Sequence, residues 1–119
     1  MKTIPNNAPT NVVALDEPDP NAGNASHEYG IQYGGPSEVL HVQFQRGPRG
    51  IDTSRAGVFD DDLLAIIQDR MEGFQSGPFA CSENQKCLQA IQTAREALGE
   101  RVAKRVKQGV LGINEPHKS

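Results

Sequence analysis

From Tyr29 onward apolar and polar positions alternate. Tyr29, Ile31 and Tyr33 fall on one face of an extended segment, and Gly34, Gly35, Pro36 and Ser37 supply turn chemistry. Leu40, Val42 and Phe44 then alternate with His41, Gln43 and Gln45, the period of a half-buried strand. The two runs predict a β-hairpin. After Phe59 the period changes. Leu63, Ile67, Met71 and Phe74 follow one another at spacings of four, four and three, one stripe of an amphipathic helix. Asp60, Asp61 and Asp62 open it, one as N-cap and the others favoured by the positive helix end, and Gly77-Pro78 closes it. Ser82 with Gln85 has the spacing of a capping box for a second helix. Its stripe, Ile91, Ala94, Leu98, Val102 and Val106, lasts to Gln108, with Gly109 where a C′ glycine belongs. Two helices with a short connection make an antiparallel hairpin.

The flanking segments lack either period. Residues 1–26 carry Pro9, Pro18 and Pro20 among asparagines and acids, and read as a flexible tail whose only apolar cluster is Val12, Val13 and Leu15. Residues 46–59, RGPRGIDTSRAGVF, read as a loop. The fold class expected is therefore α+β: a small N-terminal β hairpin or sheet followed by a long antiparallel helical hairpin. The expected divisions are a tail over 1–26, a β region and loop over 27–59, and the hairpin with a C-terminal tail over 60–119. Two helices cannot bury apolar stripes on every side, and Gly73 and Gly99 inside helices each cost about 1 kcal/mol relative to Ala. Such glycines often mark close approach of another backbone. Packing of hairpins between chains is expected, with folding tied to oligomerisation.

Composition narrows the class. At 119 residues, with 36% hydrophobic residues, 5% aromatic and no Trp, the chain suits one domain with a thin core. No apolar run approaches the ~20 residues of a membrane span, and the first residues lack the apolar stretch of a secretory signal. Cys81 and Cys87 do not make a disulfide framework, so a cytoplasmic protein with no membrane partner is expected. A net charge of -3 argues against a general coat for a nucleic-acid polymer. Yet Arg95, Arg101, Lys104, Arg105 and Lys107 cluster against only Glu96 and Glu100, a stripe suited to a small anion or, more plainly, to a solvated helix end.

A helical wheel places Asn84 and Arg95 within the apolar stripe of the second helix, Arg105 on its edge and Arg101 just outside. Buried amides and guanidiniums need partners, because leaving them unpaired costs a few kcal/mol. Each has a plain structural explanation: Asn84 as a cap, Arg95 snorkelling, Arg101 and Arg105 paired with acids. Together with Arg46 and Arg49 in the loop they also make a set suited to a nucleotide, since guanidiniums fork onto phosphates and an amide reads a base edge. Phe74 offers a ring for stacking, or a core contact. Catalytic constellations are missing. His27, His41 and His117 are scattered, the cysteine spacing is not that of a zinc pair, and no P-loop or dinucleotide glycine pattern occurs. No metal, no cofactor and no enzymatic activity are expected.

The stretches FQRGP (Phe44–Pro48), DLLAIIQDR (Asp62–Arg70) and EGFQSGPFAC-x-EN (Glu72–Asn84), then Arg101 and Arg105, then GVLG (Gly109–Gly112), resemble the phage hairpin-domain family that contains the anti-Thoeris and anti-CBASS nucleotide sponges. The resemblance spans about residues 44–117. The chain departs from the pattern in a longer loop over 49–57 and in ending GVLGINEPHK where GVEGTHK is commoner. The resemblance implies sequestration of a cyclic nucleotide immune messenger, a cyclic ADP-ribose isomer or a cyclic oligonucleotide, without cleavage. It further implies assembly into dimers, and often a hexamer, in the infected host cell. Residue by residue, it implies Phe74 packing on the base, Asn84 reading it, Arg101 and Arg105 holding phosphates and ribose, and Arg49 adding a loop guanidinium. The alternative class is a small DNA-binding phage regulator using the basic second helix, with steeply salt-dependent affinity. A phosphodiesterase would need a metal cluster or a general base beside the phosphate.

Overall fold

A computed structural model describes residues 1–47 and 54–108. The described chain divides into two units, one before Phe59 and one from Phe59 onward.

The first unit is a four-stranded antiparallel sheet in the order β1-β2-β3-β4, with β1 Lys2–Ile4, β2 Asn11–Ala14, β3 Glu28–Gln32 and β4 Val39–Gln43. The expected hairpin is its β3–β4 pair, in the register Tyr29↔Val42 and Ile31↔Leu40. That register puts Ile4, Val12, Ala14, Tyr29, Ile31, Leu40 and Val42 on one face. Ala14 is the best buried apolar residue of the sheet, and Tyr29 meets Phe44 edge to face with centroids 5.7 Å apart.

The stretch expected as a flexible tail, 1–26, instead supplies β1 and β2. A strand of four residues is too short to declare a period, yet Val12 and Val13 pair on both sides, with Ile4 and Thr3 and with Ile31 and Gly30. The polar residues that suggested disorder fasten it. The Asp16 carboxylate accepts the backbone N–H groups of His27 (3.0 Å) and Glu28 (3.1 Å), and the Ser26 hydroxyl donates to the Asp16 carbonyl (2.9 Å). Burial pushes the Asp16 carboxyl up, but the N–H groups of Glu28 and His27 outweigh it and hold the group below its ordinary value. Beyond β4, Gln45 and Val58 extend the pairing (N–H to carbonyl, 2.9 Å), and Arg46 and Arg55 exchange backbone bonds of 2.8 Å. Gly57 is required there: a Cβ would collide with the backbone of Phe44 and Gln43.

The second unit is the helical hairpin, α1 Asp60–Gln75 and α2 Ser82–Gln108. The start of α1 meets the middle of α2 through Asp61 and Arg95, and the end of α1 meets the start of α2 through Gln75 and Gln85, so the two run antiparallel. Both predicted caps are displaced by one residue. Phe59, not an aspartate, is the N-cap of α1; its N–H is held by the Asp62 carboxylate at 2.8 Å, and its carbonyl accepts the Asp62 N–H at 3.0 Å. At α2 the Ser82 hydroxyl bonds the Glu83 carboxylate and Gln85 turns to Gln75, so no Ser82–Gln85 box forms. Cys81 takes the cap position: its carbonyl accepts the Gln85 N–H (3.1 Å) and its Sγ the Asn84 N–H (3.4 Å). The predicted Gly109 cap lies outside the described residues.

The stripes pack only in part. Leu88 and Ile91 are buried, while Ile66, Ile67, Val102 and Val106 are exposed, Ile66 and Val106 each to 58%. Among the described residues, nothing beyond each helix's own neighbouring backbone lies within 4 Å of a Cβ placed at Gly73 or Gly99.

Candidate functional site

The polar groups of the hairpin gather at three levels along α2. At the turn end, Gln75 spans the connection. Its Oε1 accepts the Cys81 N–H at 3.0 Å and its Nε2 donates to Gln85 at 3.2 Å. Ser76 donates its hydroxyl to the Gly73 carbonyl (2.7 Å), and Asn84 donates Nδ2 to the Phe79 carbonyl (3.3 Å). Phe74 is half-buried in the last turn of α1, with the Arg70 guanidinium 5.4 Å from its ring centroid. Phe79, at the turn itself, is 76% exposed.

At mid-height Arg95 is paired as its place in the stripe demanded. It holds Asp61 with two N–H groups, at 2.7 and 3.0 Å, and Gln68 with a third at 2.9 Å. The Arg95 hydrogen bonds hold the Asp61 carboxyl below its ordinary value, and Asp61 raises the guanidinium in return. This pair borders an open groove of about 740 Å³, lined also by Gln92, Glu96, Leu98 and Val102. The sequence pointed to Arg95 but not to its partners, because a helix opening already accounted for Asp61.

At the far end Arg101 is exposed, and Arg105, one turn on, is 8% exposed and engaged within the chain. Phe74 and Asn84 thus share one end of the hairpin and Arg101 and Arg105 the other. At 1.5 Å of rise per residue, about 25–30 Å of α2 separates Asn84 from the two arginines. One chain does not bring the four together. Arg49 lies outside the described residues.

A protein of Bacillus phage SBSphiJ7 named Thoeris anti-defense 1 is 33% identical to this chain over 78 residues, 66% of the chain and 54% of the relative. Over those residues the chain is homologous to an anti-Thoeris phage protein, which supports an anti-Thoeris phage family. It spans about half the length of that anti-Thoeris relative. No protein-family model matches it.

In the sheet unit, Arg46 is committed to acids, with Asp19 at 3.3 Å and Asp16 at 3.8 Å, and Arg55 sits 3.3 Å from Glu28. Glu28 also meets His41 at 3.2 Å. Arg46, grouped by sequence with the nucleotide-binding set, is a structural ion-pair member in this unit. Among the described residues no three His, Cys, Asp or Glu side chains are placed to hold a metal ion, and no helix is long and apolar enough to cross a membrane.

Proposed function

We propose that this chain is a non-catalytic phage sponge that binds a cyclic nucleotide immune messenger, a cyclic ADP-ribose isomer or a cyclic oligonucleotide, and withholds it from a Thoeris effector in the infected cell. The observation that carries this reading is the relationship to Thoeris anti-defense 1. The residues add a condition. A small cyclic nucleotide does not span the 25–30 Å or so of α2 between Asn84 and the arginine pair. The pocket therefore forms where two copies lie antiparallel, so that the turn end of one meets the arginine end of the other's α2. Dimers are the unit of binding, and a hexamer would be three of them.

In that pocket Arg101 and Arg105 fork onto phosphate and ribose oxygens, Asn84 reads a base edge, Phe74 packs against the base, and Arg49 adds a guanidinium from the loop. These are a ring, an amide and guanidiniums, groups that bind anions and base edges rather than carry protons at neutral pH. The exposed Ile66, Val102 and Val106 give the second copy apolar surface to cover.

The purified protein is incubated with cyclic ADP-ribose isomers and with cyclic di- and trinucleotides, freed of unbound material, and heat-denatured. Intact messenger in the supernatant is the expected result. Altered product would make the protein an enzyme, and no retention of any messenger rejects the reading. Tight, steeply salt-dependent binding of duplex DNA in its place would make it a regulator. Asn84→Ala is expected to abolish retention while leaving the oligomer intact; dissociation or precipitation would make Asn84 structural.

A further inference from the structure

We infer that Arg70 is a further phosphate-binding residue, a guanidinium on α1 that acts from the turn end of the hairpin; the inference rests on the messenger-binding reading above. Of the described arginines, Arg46, Arg55 and Arg95 stand against carboxylates, and Arg105 is engaged within the chain. Arg70 and Arg101 make no ion pair among the described residues. Arg101 already has a proposed phosphate. Arg70 is equally uncommitted, and it stands at the opposite end of the hairpin.

The helix explains why no acid meets it. A helical side chain faces positions three and four residues away, which for Arg70 are Ile66, Ile67, Gly73 and Phe74. Asp69 and Glu72, one and two residues away, do not face it. The exposed guanidinium lies instead 5.4 Å from the centroid of the Phe74 ring. A phenyl ring restrains a cation but offers no lone pair, so the N–H donors stay available to an oxyanion. A long side chain restrained in advance also loses less freedom when a ligand arrives. The surface beside the pair is open. Among the described residues, nothing beyond the neighbouring backbone lies within 4 Å of a Cβ placed at Gly73 or Gly77. A cyclic messenger carries more than one phosphate, and guanidiniums fork onto phosphates from whichever side they stand. With Phe74 against the base, Arg70 takes a phosphate from the turn end, while Arg101 and Arg105 of the other copy take theirs from the opposite side.

The test measures binding of cyclic ADP-ribose isomers, cyclic di-AMP and cyclic tri-AMP by titration calorimetry. The proteins are the wild type, Arg70→Met, Arg70→Lys and Lys86→Met, with oligomer mass and melting temperature as controls. Arg70→Met removes the charge and keeps an apolar chain and a thioether for the ring. It is expected to weaken the bound messenger about tenfold to a hundredfold at unchanged mass and melting temperature. Arg70→Lys, a point charge without the fork, recovers part of that loss. Lys86→Met, the same change of charge on α2, costs less than about threefold. Phosphorus NMR of the bound messenger is expected to show a phosphate resonance displaced in Arg70→Met. Wild-type affinity in Arg70→Met overturns the inference and leaves the sponge reading standing. So does an equal loss in Lys86→Met, which makes the effect one of overall charge. So does a loss with altered oligomer mass or with unmoved phosphorus resonances, which makes Arg70 an assembly contact or a support for the ring. A wild type that binds none of these messengers takes down both readings.

Discussion

The two ends of the hairpin are built on opposite terms. At the turn, six residues of connection are crossed by hydrogen bonds from Gln75, Ser76 and Asn84, and these side chains hold the backbone there in place. At the other end, α2 carries Val102 and Val106 into solvent beside Arg101, Lys104 and Lys107. The first end is organised by its own chain. The second leaves apolar and cationic surface exposed within a single chain. A ligand that needs both kinds of surface finds a prepared reader at one end and a charged, uncovered helix at the other, which is why the proposed pocket takes one end from each of two copies.

The largest effect should separate the two arginines of the uncovered end. Both are proposed to hold phosphate, yet Arg101 is exposed and Arg105 is buried and engaged within its own chain. Arg105→Ala is expected to weaken messenger binding about a hundredfold and also to lower stability by about 1–3 kcal/mol, since its partner within the chain is left unsatisfied. Arg101→Ala should cost about tenfold in affinity with an unchanged denaturation midpoint. Calorimetric titration and urea unfolding of the two variants, side by side, measure this. Equal loss of stability in both would remove the distinction between a solvent-facing and a built-in guanidinium.

Next in size is the pair that joins the helices between those ends. Asp61 binds two N–H groups of Arg95, and its carboxyl is held below its ordinary value. A carboxyl depressed in the folded state contributes stability that is present above the unfolded-state value, about 3.9 for Asp, and is lost as the pH falls through the folded value. Asp61→Asn should therefore melt below the wild type at pH 7, and the two melting curves should converge on acidification. A gap that persists in strong acid would mean that the side chain matters through shape rather than charge.

What the sequence made legible follows from how many residues carry each signal. Long stripes, Leu63 to Phe74 and Ile91 to Val106, repeat often enough to declare both helices, and the alternation from Tyr29 to Phe44 declared β3 and β4 as a hairpin, whose register only the structure supplies. β1 and β2 have three and four residues, too few turns of any period, and their stability comes from pairing with strands far along the chain. Asn84 and Arg95 stood out because polar groups on an apolar stripe require partners. The partners themselves, Phe79's carbonyl, Asp61 and Gln68, depend on how the helices meet, which spacing does not encode. The separation of Asn84 from Arg105 was readable as a count of residues. Its consequence becomes visible only when the turn end is seen to close on itself.

The smallest effect tests the cap at the organised end. Ser82 with Gln85 has the spacing of a capping box, but the Asn84 N–H is met by the Cys81 thiol at 3.4 Å, and the Ser82 hydroxyl is turned to Glu83. Sulfur is a weak acceptor, whereas a serine hydroxyl at an N-cap bonds the same N–H at ordinary length. Cys81→Ser should thus stabilise the protein by about 0.5–1 kcal/mol, and Ser82→Ala should change it by less than about 0.5 kcal/mol, as for a surface position away from a cap. Urea midpoints resolve both. If Ser82→Ala proves the costlier change, the cap lies one residue later than the hydrogen bonds place it. The first turn of α2 would then be wound differently, and the Asn84–Phe79 bond that orients the proposed reader would have to be redrawn with it.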